Sequence, residues 1–382
     1  MAEIPMKIQM LDLDAQRRAI GPVLDERIQR VLEHGRFIMG PEVQELEEAL
    51  AERAGVKHAV SCGNGTDALQ LVLMAWGVGP GDAVFVPSFT FTATAEVVAL
   101  LGATPVFCDV REDTYNLDVA SLEAAVGRVL AEGSLTPRAV IPVDLFGLPA
   151  DYSAIKTVGD RYELRILADA AQSFGATLSG RPVGSLAEAT ATSFFPAKPL
   201  GCYGDGGAVF TDDDELAQLL RSLRVHGKGK DKYDNVRIGM NSRLDTIQAA
   251  VLLAKLTVFD DEIDARQQVA AQYIKHCADV SEIALPSLRP SAWSQFTVRV
   301  TRGAERRSAI MEYLAKLQIA SAIYYPKPLH LIEPLSRGAQ IENRCHQSTR
   351  LSETVLSLPM HPYLEHSETE VVAARLLEAV VV

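Results

Sequence analysis

The spacing of apolar residues divides the first 55 positions into an irregular arm and two amphipathic helices. Apolar side chains recur every three to four residues at 16–36 and again at 42–55, which is the period of one helix face. Gly35 ends the first pattern, as glycine often does at a helix C-terminus, and a Gly-Pro pair at 40–41 restarts the chain. Residues 1–14 show no such period and are predicted to form an irregular arm.

From position 58 to 211, short apolar runs alternate with stretches of helical period. The predicted strands are 58–62, 82–87, 104–109, 139–143, 165–168, 190–195 and 208–211. The predicted helices are 67–76, 90–101, 120–132 and, after the last strand, 212–227. Strands that alternate with helices usually pair in parallel and are covered on both faces. The pattern therefore predicts an α/β fold with a mostly parallel central sheet in a large domain.

A long helical pattern at 244–277, which we interpret as two helices connecting two domains, separates this section from a different one. The C-terminal section is predicted to contain strands at 293–300 and 320–325, helices at 306–317 and 367–382, and a polar loop at 336–344. The length of the chain also favours two domains. We therefore predict a large domain at 15–250, after the arm at 1–14, and a smaller C-terminal α+β domain at 251–382.

Composition and charge narrow the possible function classes. The chain has 382 residues and a net charge of −12 without a basic patch, which argues against nucleic acid or an anionic membrane as a partner. No apolar run reaches about 18 residues, the length of a membrane-spanning helix. The five scattered cysteines form no C-x-x-C pair, which is typical of reduced thiols rather than a disulfide framework or a zinc site. Without a signal-peptide pattern, we expect a cytoplasmic protein.

The turn after the first predicted strand has the chemistry of a phosphate site. It reads Gly63-Asn-Gly-Thr-Asp-Ala68, formally G-x-G-x-x-A. A dinucleotide site also needs an acidic residue after the next strand, and Val84-Phe-Val-Pro-Ser-Phe89 has none. The N–H groups of a helix N-terminus, together with the Thr66 hydroxyl, would still bind one phosphate group. A simple tight turn between strand and helix is the alternative.

Two further positions carry charged side chains where a ligand would bind. Asp169 follows the apolar strand 165–168, at the end of a parallel strand that faces the ligand crevice; a helix N-cap is the alternative role. Lys198 lies between two prolines and is followed by four glycines within 201–207. Such a loop would present a Schiff-base lysine, although a surface lysine in a glycine turn has the same pattern.

Together these parts indicate a pyridoxal phosphate site. A cup at Gly65 and Thr66 would hold the phosphate, and Phe89 would stack on the ring. Asp169 would keep the pyridine nitrogen protonated so that the ring acts as an electron sink. Lys198, 29 residues further on, would form the imine. No single element is specific, but their order along the chain is.

The same stretches resemble the DegT/DnrJ/EryC1/StrS family of nucleotide-sugar aminotransferases, which belongs to the fold-type I aspartate-aminotransferase superfamily. The resemblance extends through nearly the whole chain. Its carriers are Gly-Pro-Glu-Val at 40–43, Cys-Gly-Asn-Gly-Thr-Asp-Ala-Leu at 62–69, Pro-Ser-Phe-Thr-Phe-Thr-Ala-Thr at 87–94, Asp-Ala-Ala-Gln-Ser-Phe-Gly at 169–175, Ser-Phe-Phe-Pro-Ala-Lys at 193–198, Gly-Asp-Gly-Gly-Ala at 204–208 and Gly-Met-Asn-Ser-Arg-Leu-Asp at 239–245. It implies a fold-type I architecture, pyridoxal 5′-phosphate as cofactor with the pyridoxamine form as intermediate, and a homodimer.

The resemblance also implies roles for single residues, with Lys198 and Asp169 as the catalytic pair. The residues expected at the cofactor are Gly65, Thr66, Phe89, Asp169, Gln172, Ser193, Lys198 and Asn241. Gln172 would lie near the ring hydroxyl, Ser193 at the phosphate, and Asn241 would reach in from the second subunit. The residues expected at the substrate are Gly35, Phe37, Ala197, Arg243, Tyr324 and Tyr325. Arg243 would face a carboxylate, and an ion pair at a helix start is its alternative.

Within the family, the chain is most similar to enzymes that aminate C3 of a UDP-linked 2-acetamido-3-keto-hexuronic acid, with L-glutamate as donor, for surface polysaccharides such as the lipopolysaccharide O-antigen. The similarity rests on 193–207 and on Ser-Leu-Pro-Met-His-Pro-Tyr-Leu at 357–364. Phe37 stands where those relatives have tyrosine, Ala197 where they have serine and Tyr324 where they have histidine. Each departure changes a hydrogen-bonding group, so the identity of the sugar depends on them. Packing at a domain interface is the alternative for Phe37, Tyr324 and Tyr325.

Other functions fit parts of the pattern. An aminotransferase acting at C3 or C4 of a dTDP- or UDP-linked 6-deoxy ketosugar would differ only in substrate. Relatives with histidine at the lysine position are pyridoxamine-phosphate-dependent dehydratases, so Lys198 favours transamination. The chain lacks the acidic residue with which a dinucleotide oxidoreductase would bind ribose. A non-catalytic protein would not need Lys198 together with Asp169. No metal site is expected, and Asp144, another unusual polar residue near the crevice, has no assigned role.

Overall fold

Helices and strands alternate through most of the chain, as the apolar spacing predicts. The structure, a computed structural model, describes residues 7–231, 233–278, 280–341 and 343–381. The helices are α1 (Leu13–His34), α2 (Pro41–Ala54), α3 (Gly65–Ala75), α4 (Ala93–Leu100), α5 (Val119–Glu132), α6 (Tyr152–Tyr162), α7 (Asp214–Leu223), α8 (Thr246–Leu256), α9 (Phe259–Cys277), α10 (Ala304–Lys316), α11 (Glu333–Ser336), α12 (His346–Thr354) and α13 (His366–Val381). The strands are β1 (His58–Cys62), β2 (Asp82–Pro87), β3 (Thr104–Cys108), β4 (Thr136–Val140), β5 (Arg165–Asp169), β6 (Thr177–Leu178), β7 (Arg181–Pro182), β8 (Ala189–Ser193), β9 (Gly207–Thr211), β10 (Ile283–Ala284), β11 (Phe296–Val300), β12 (Gln340–Ile341) and β13 (Val355–Leu358).

Eight strands form one central sheet in the order β1-β9-β8-β5-β4-β2-β3-β12. β9 is antiparallel to both of its neighbours, and the remaining pairs are parallel. β1, β2, β5 and β8 therefore all run in one direction, and their carboxyl ends meet at one edge of the sheet. We call this the carboxyl edge, and it is where open α/β sheets bind ligands.

The central strands are buried because helices cover both faces of the sheet. Along β2, Val84 and Val86 pack in the cluster that includes α3, α4 and α7. Ala83 and Phe85 point to the opposite face and pack with α5 and α6. Since successive side chains of a strand point to opposite faces, a strand covered on both sides must be apolar at nearly every position. That explains the uninterrupted apolar run at 83–87.

A second, three-stranded antiparallel sheet in the order β10-β11-β13 lies in the C-terminal part. Its core cluster contains Tyr273 of α9, Ile310 of α10 and Leu376 of α13. Ile8 of the N-terminal arm belongs to the same cluster and bridges Ile319. The helical pattern at 244–277 forms α8 and α9, two helices as interpreted. The division into domains at 250/251 stays a prediction, and residues 1–6 and Val382 lie outside the described residues.

The strand predicted at 320–325 is wrong. Only Ala322 pairs, with Ser357 of β13, through backbone hydrogen bonds of 3.1 and 2.8 Å. The chain then leaves the sheet, and the hydroxyl of Tyr325 accepts a hydrogen bond from Gln172 Nε2 at 3.1 Å. The apolar residues at 320–325 fit the pattern of a strand, but β-propensity depends strongly on tertiary context.

Other boundaries also differ from prediction. β4 lies three residues earlier than 139–143, because Thr136 already pairs with Asp82, and Val143 forms only an isolated bridge. The loop predicted at 336–344 contains β12, which pairs with β3. The helix predicted at 212–227 ends at Leu223. The apolar spacing missed α6, α12 and β13, whose sequences are short or strongly polar.

Candidate active site

Asp169 is the last residue of β5, at the carboxyl edge, and only 7% of the residue is exposed. Its Oδ2 accepts a hydrogen bond from Thr94 Oγ1 at 2.9 Å, and its Oδ1 accepts one from the Ala171 N–H at 3.2 Å. Burial raises the pKa of Asp169, while these two bonds and the charge of Lys198 act in the opposite direction. A turn rather than a helix follows Asp169, so the helix N-cap alternative does not apply.

Lys198 interacts electrostatically with that carboxylate from the loop between β8 and β9. The loop folds back on itself, since the Phe194 N–H donates to the Gly206 carbonyl oxygen at 2.7 Å. A Cβ at Gly201 would lie 2.6 Å from backbone carbonyl oxygens of the same loop, so only glycine fits there. Burial lowers the pKa of the Lys198 amine, and the Asp169 charge opposes this effect. Lys198 is half-buried, which differs from a fully solvated surface lysine.

The N-terminus of α3 forms a cup for an anion. α3 begins at Gly65, and the Asn64 side chain caps it by accepting a hydrogen bond from the Asp67 N–H at 2.8 Å. The N–H groups of Gly65 and Thr66 have no acceptor among the described residues, as is usual in the first turn of a helix. A Cβ at Gly65 would lie 2.7 Å from Ser193 Cβ, so the helix start touches the end of β8. Two N–H groups beside two hydroxyls suit a phosphate group.

Phe89, Gln172 and Tyr325 line the aromatic side of the site. Phe89 is 1% exposed, and its ring meets that of Tyr325 edge-to-face with 6.4 Å between centroids. Gln172 Oε1 accepts a hydrogen bond from the Phe146 N–H at 2.6 Å, and its Nε2 donates to the Tyr325 hydroxyl at 3.1 Å. These two bonds fix the orientation of the amide. A flat ligand entering here would meet an aromatic wall and a preset amide.

Comparison with known proteins agrees with this geometry. A model of the DegT/DnrJ/EryC1/StrS aminotransferase family matches residues 19–377. This chain is a member of that family. A UDP-2-acetamido-2-deoxy-3-oxo-D-glucuronate aminotransferase from Pseudomonas aeruginosa is 46% identical over 374 residues, which cover 97% of this chain and 99% of the relative.

Two solved structures show the extent of the likeness. The crystal structure of a DegT DnrJ EryC1 StrS aminotransferase from Brucella abortus is 49% identical with a TM-score of 0.94, and the match covers 97% of this chain and 99% of that one. NtdA from Bacillus subtilis, whose structure contains the bound cofactor PMP, is 27% identical with a TM-score of 0.86, and the match covers 98% of this chain and 83% of that one. Family membership and fold are therefore established over nearly the whole chain.

Four other residues expected at the site of this aminotransferase lie outside the strands: Gly35, Phe37, Asn241 and Arg243. We call them the edge group, which is distinct from the carboxyl edge of the sheet. Gly35 caps α1 with a φ of 67°. Phe37 is 46% exposed, and its carbonyl oxygen accepts a hydrogen bond from the Thr246 N–H at 2.9 Å. Asn241 is exposed and Arg243 half-buried. Within the described residues neither side chain has a hydrogen-bond or ion-pair partner, so the ion-pair alternative for Arg243 is not observed.

Ser242 connects the edge group to the cup. Its Oγ donates to Asp67 Oδ2 at 2.6 Å and accepts from the Gly63 N–H at 3.0 Å. Large apolar side chains are exposed at 37–38 and 233–238: Phe37, Ile38, Tyr233, Val236 and Ile238. A groove of about 550 Å³ lies beside Arg36, and another of about 740 Å³ runs along 225–239.

Ala197 and Tyr324, two of the departures, have different surroundings. Ala197 and Lys198 line a cavity of about 20 Å³ together with Arg266 and His361, about the room that one water molecule needs. Arg266 Nε and His361 Nδ1 are buried without a hydrogen-bond partner in the described part of the chain. The Tyr324 ring packs edge-to-face on that of Tyr325 with centroids 6.0 Å apart, which supports the packing alternative for this pair.

Sequence reasoning missed Thr94 and left Asp144 without a role, although both contact the Asp169 segment. Thr94 lies inside one of the motif stretches, so its position was a usable signal. His276, His366 and Glu370 could together hold a metal ion, but this group lies on α9 and α13 rather than at the site. None of the described helices is long and apolar enough to cross a membrane.

Proposed function

We propose that this aminotransferase moves an amino group from L-glutamate to C3 of a UDP-linked 2-acetamido-3-keto-hexuronic acid. The observation that carries the proposal is the convergence of Lys198, Asp169 and the cup of Gly65, Thr66 and Ser193 at one sheet edge. The similarity to the Pseudomonas aeruginosa enzyme named for such a sugar supports this substrate. The product would serve surface polysaccharide biosynthesis, including the O-antigen, and the enzyme would act in the cytoplasm.

Pyridoxal 5′-phosphate, or its pyridoxamine form as found in NtdA, fits the residues present. Bound there, this cofactor supplies a carbonyl carbon for amine exchange and a ring that stores electrons. The N–H groups of Gly65 and Thr66 and the Ser193 hydroxyl would hold the phosphate. Phe89 would cover the ring, and Gln172 would offer its amide to the ring hydroxyl. A Cβ at Gly65 would collide with Ser193, so only glycine lets the start of α3 pack directly against the end of β8 at this cup.

Asp169 is suited to hold a protonated ring nitrogen. Burial raises its pKa, so a positive partner would stabilise the ionised carboxylate. A pyridinium N–H is such a partner, and a charge-assisted hydrogen bond to it would be strong in this buried position. Thr94 and the Ala171 N–H hold the carboxylate in place from behind.

Lys198 is suited both to attach the cofactor covalently and to move a proton. Its lowered pKa increases the neutral fraction of the amine near neutral pH. Only the neutral amine is a nucleophile or can accept a proton from the substrate carbon. The glycine-bounded loop holds the amine at the carboxyl edge, within the electrostatic influence of Asp169.

The substrate side is proposed from Gly35, Phe37, Ala197, Arg243, Tyr324 and Tyr325. The planar guanidinium of Arg243 can bind a carboxylate of glutamate or of the sugar through two parallel hydrogen bonds. Ala197 and Phe37 offer no hydroxyl, so the sugar must be recognised there by shape. Tyr325 has its hydroxyl fixed by Gln172 and borders the aromatic wall.

We further propose a homodimer in which Asn241 reaches the phosphate cup of the partner. Ile238 is 88% exposed and Phe37 46% exposed, which is unfavourable for apolar side chains left in water. Phe37 belongs to the edge group, and Ile238 lines the groove along 225–239. A second copy of the chain would cover these side chains and receive Asn241 at its phosphate cup.

Incubation with L-glutamate and the UDP-linked 3-keto-hexuronic acid tests the function. We expect one 2-oxoglutarate for each aminated sugar nucleotide. Loss of a sugar hydroxyl without 2-oxoglutarate would instead establish a dehydratase. A panel of UDP- and dTDP-linked 3-keto and 4-keto sugars distinguishes the substrates, and a higher kcat/KM for a 6-deoxy ketosugar would move the assignment to that alternative.

A further inference from the structure

Asp144 lies directly behind Asp169 and has no solvent exposure. Its backbone N–H donates to the Asp169 carbonyl oxygen at 3.0 Å, and the Asp169 N–H donates to the Pro142 carbonyl oxygen at 2.9 Å. The two aspartates therefore belong to adjoining, hydrogen-bonded segments at the carboxyl edge. A shift of the Asp144 segment would move Asp169 with it.

The Asp144 carboxylate accepts three hydrogen bonds from two different parts of the chain. Oδ1 accepts from the Ala150 N–H and from the Tyr152 hydroxyl, both at 2.8 Å. Oδ2 accepts from the Ser173 hydroxyl at 2.7 Å. Ser173 directly follows Gln172, so one buried carboxylate ties the turn that carries Gln172 to the start of α6.

The turn at 144–147 is also the segment that fixes the Gln172 amide. Phe146 has a left-handed φ of 60°, which a non-glycine residue adopts only where its surroundings hold it. Its N–H donates to Gln172 Oε1 at 2.6 Å. A Cβ on Gly147 would lie 2.7 Å from the Trp293 nitrogen, so the turn is closely enclosed. Asp144 is the first residue of this turn, and the hydrogen bonds of its carboxylate hold that end of the turn in place.

We propose that Asp144 is a positioning residue that keeps Asp169 and Gln172 aligned with each other at the cofactor ring. The inference rests on the proposed roles of those two residues. Burial raises the pKa of Asp144 to about 7, and the Asp169 charge adds to the effect. Asp169 and Tyr152 are the titratable groups that interact with it among the described residues. Below about pH 7, Asp144 becomes neutral and no longer repels the Asp169 carboxylate.

The test compares Asp144→Ala with Asp144→Asn, in purified protein loaded with pyridoxal 5′-phosphate. The readouts are the cofactor dissociation constant and the pH titration of the visible absorbance band. For Asp144→Ala we expect a dissociation constant about tenfold higher and a shifted titration, because three donors lose their acceptor. Asparagine can accept from Ala150 and Tyr152 and donate to Ser173. For Asp144→Asn we therefore expect near wild-type affinity but loss of any titration step near pH 7.

Two further variants and one control keep the test decisive if Asp144→Ala does not fold. Ser173→Ala and Tyr152→Phe each remove one hydrogen bond and should give smaller shifts in the same direction. Asp151→Asn alters an exposed carboxylate that caps α6 and should leave the band unchanged. If Asp144→Ala, Ser173→Ala and Tyr152→Phe all keep the wild-type band, affinity and titration, Asp144 is not a positioning residue. If wild-type protein itself binds no cofactor, the proposed function fails instead.

Discussion

The cofactor side of the site and the edge group differ in how far one chain completes them. Asp169, Gln172 and Phe89 are each at most 7% exposed and held by named partners. In the edge group, Phe37 is nearly half exposed, and within the described chain the Asn241 and Arg243 side chains have no polar partner. Both sets carry residues expected at the same active site.

The difference reflects which elements carry the residues. The carboxyl ends of parallel strands must converge at one edge of a sheet, so a single chain brings Asp169, Ser193 and the cup together. The edge group lies on the segments 35–37 and 241–243, which belong to no strand of the sheet. In the proposed homodimer, a second copy of the chain would cover these residues.

Replacing Lys198 tests the cofactor side most severely. Lys198→Ala removes both the covalent attachment and the proton carrier, so we expect the rate of 2-oxoglutarate formation to fall about 10³-fold or more. Lys156→Ala, which removes an exposed lysine paired with Asp160 on α6, should retain nearly full activity. Activity above a tenth of wild type in Lys198→Ala would contradict the assignment.

Asp169→Ala is expected to lower kcat/KM about 10²-fold, because the buried charge that stabilises a protonated ring nitrogen is lost. The cofactor dissociation constant should rise in parallel, measured by absorbance titration. Asp160→Ala serves as the matched surface control. An unchanged cofactor affinity in Asp169→Ala would show that this carboxylate does not face the ring.

Mixing two inactive variants tests whether the edge group works across subunits. Asn241→Asp places a negative charge against the phosphate, and we expect about a 10²-fold loss of activity for this variant alone. Co-refolded Asn241→Asp and Lys198→Ala chains should recover about a quarter of wild-type activity, since half of the dimers then contain one intact site. No recovery in a mixture that demonstrably forms mixed dimers would place Asn241 in its own subunit's site.

Gly65→Ala tests the shape of the cup. The new Cβ would meet Ser193 Cβ at 2.7 Å, and the strain should raise the cofactor dissociation constant about tenfold. Gly127→Ala, within α5 and with nothing within 4 Å of the added Cβ, should leave affinity unchanged and slightly increase stability. Equal cofactor dissociation constants for the two variants would show that the cup can accommodate a Cβ at position 65.

The smallest expected effect is the acid sensitivity of the cofactor side. Burial lowers the pKa of His361 from 6.5 to about 4, so the folded chain binds fewer protons there than the unfolded chain between these values. The contribution of His361 to stability should therefore be lost as pH falls from 6.5 towards 4. We expect the urea midpoint of wild type to fall, relative to that of His361→Asn, between pH 7 and pH 5. A constant difference between the two midpoints would show that His361 does not cause the acid sensitivity.

Much of the large sheet could be predicted because both its faces are covered. Runs such as 83–87 and 105–108 are apolar throughout, and this leaves a clear signal. The segment at 320–325 carries a similar signal but forms a bridge only at Ala322, and the Tyr325 hydroxyl instead accepts a hydrogen bond from Gln172. β12 and β13 are short and find their partners far along the chain, so local pattern could not identify them.

The sequence by itself determined the family, the order of the chemical groups and the residues at the carboxyl edge. Lys198, Asp169, Gly65 and Phe89 follow strands or turns that leave local signals, and parallel strands bring them together by necessity. Only the tertiary structure decided which side chains hydrogen-bond to this part of the site and hold it in place. The hydrogen bonds from Thr94 to Asp169 and from Ser173 to Asp144 join positions far apart in sequence, and burial is the largest cause of the raised pKa of Asp144. Such contacts depend on packing, which no local pattern encodes.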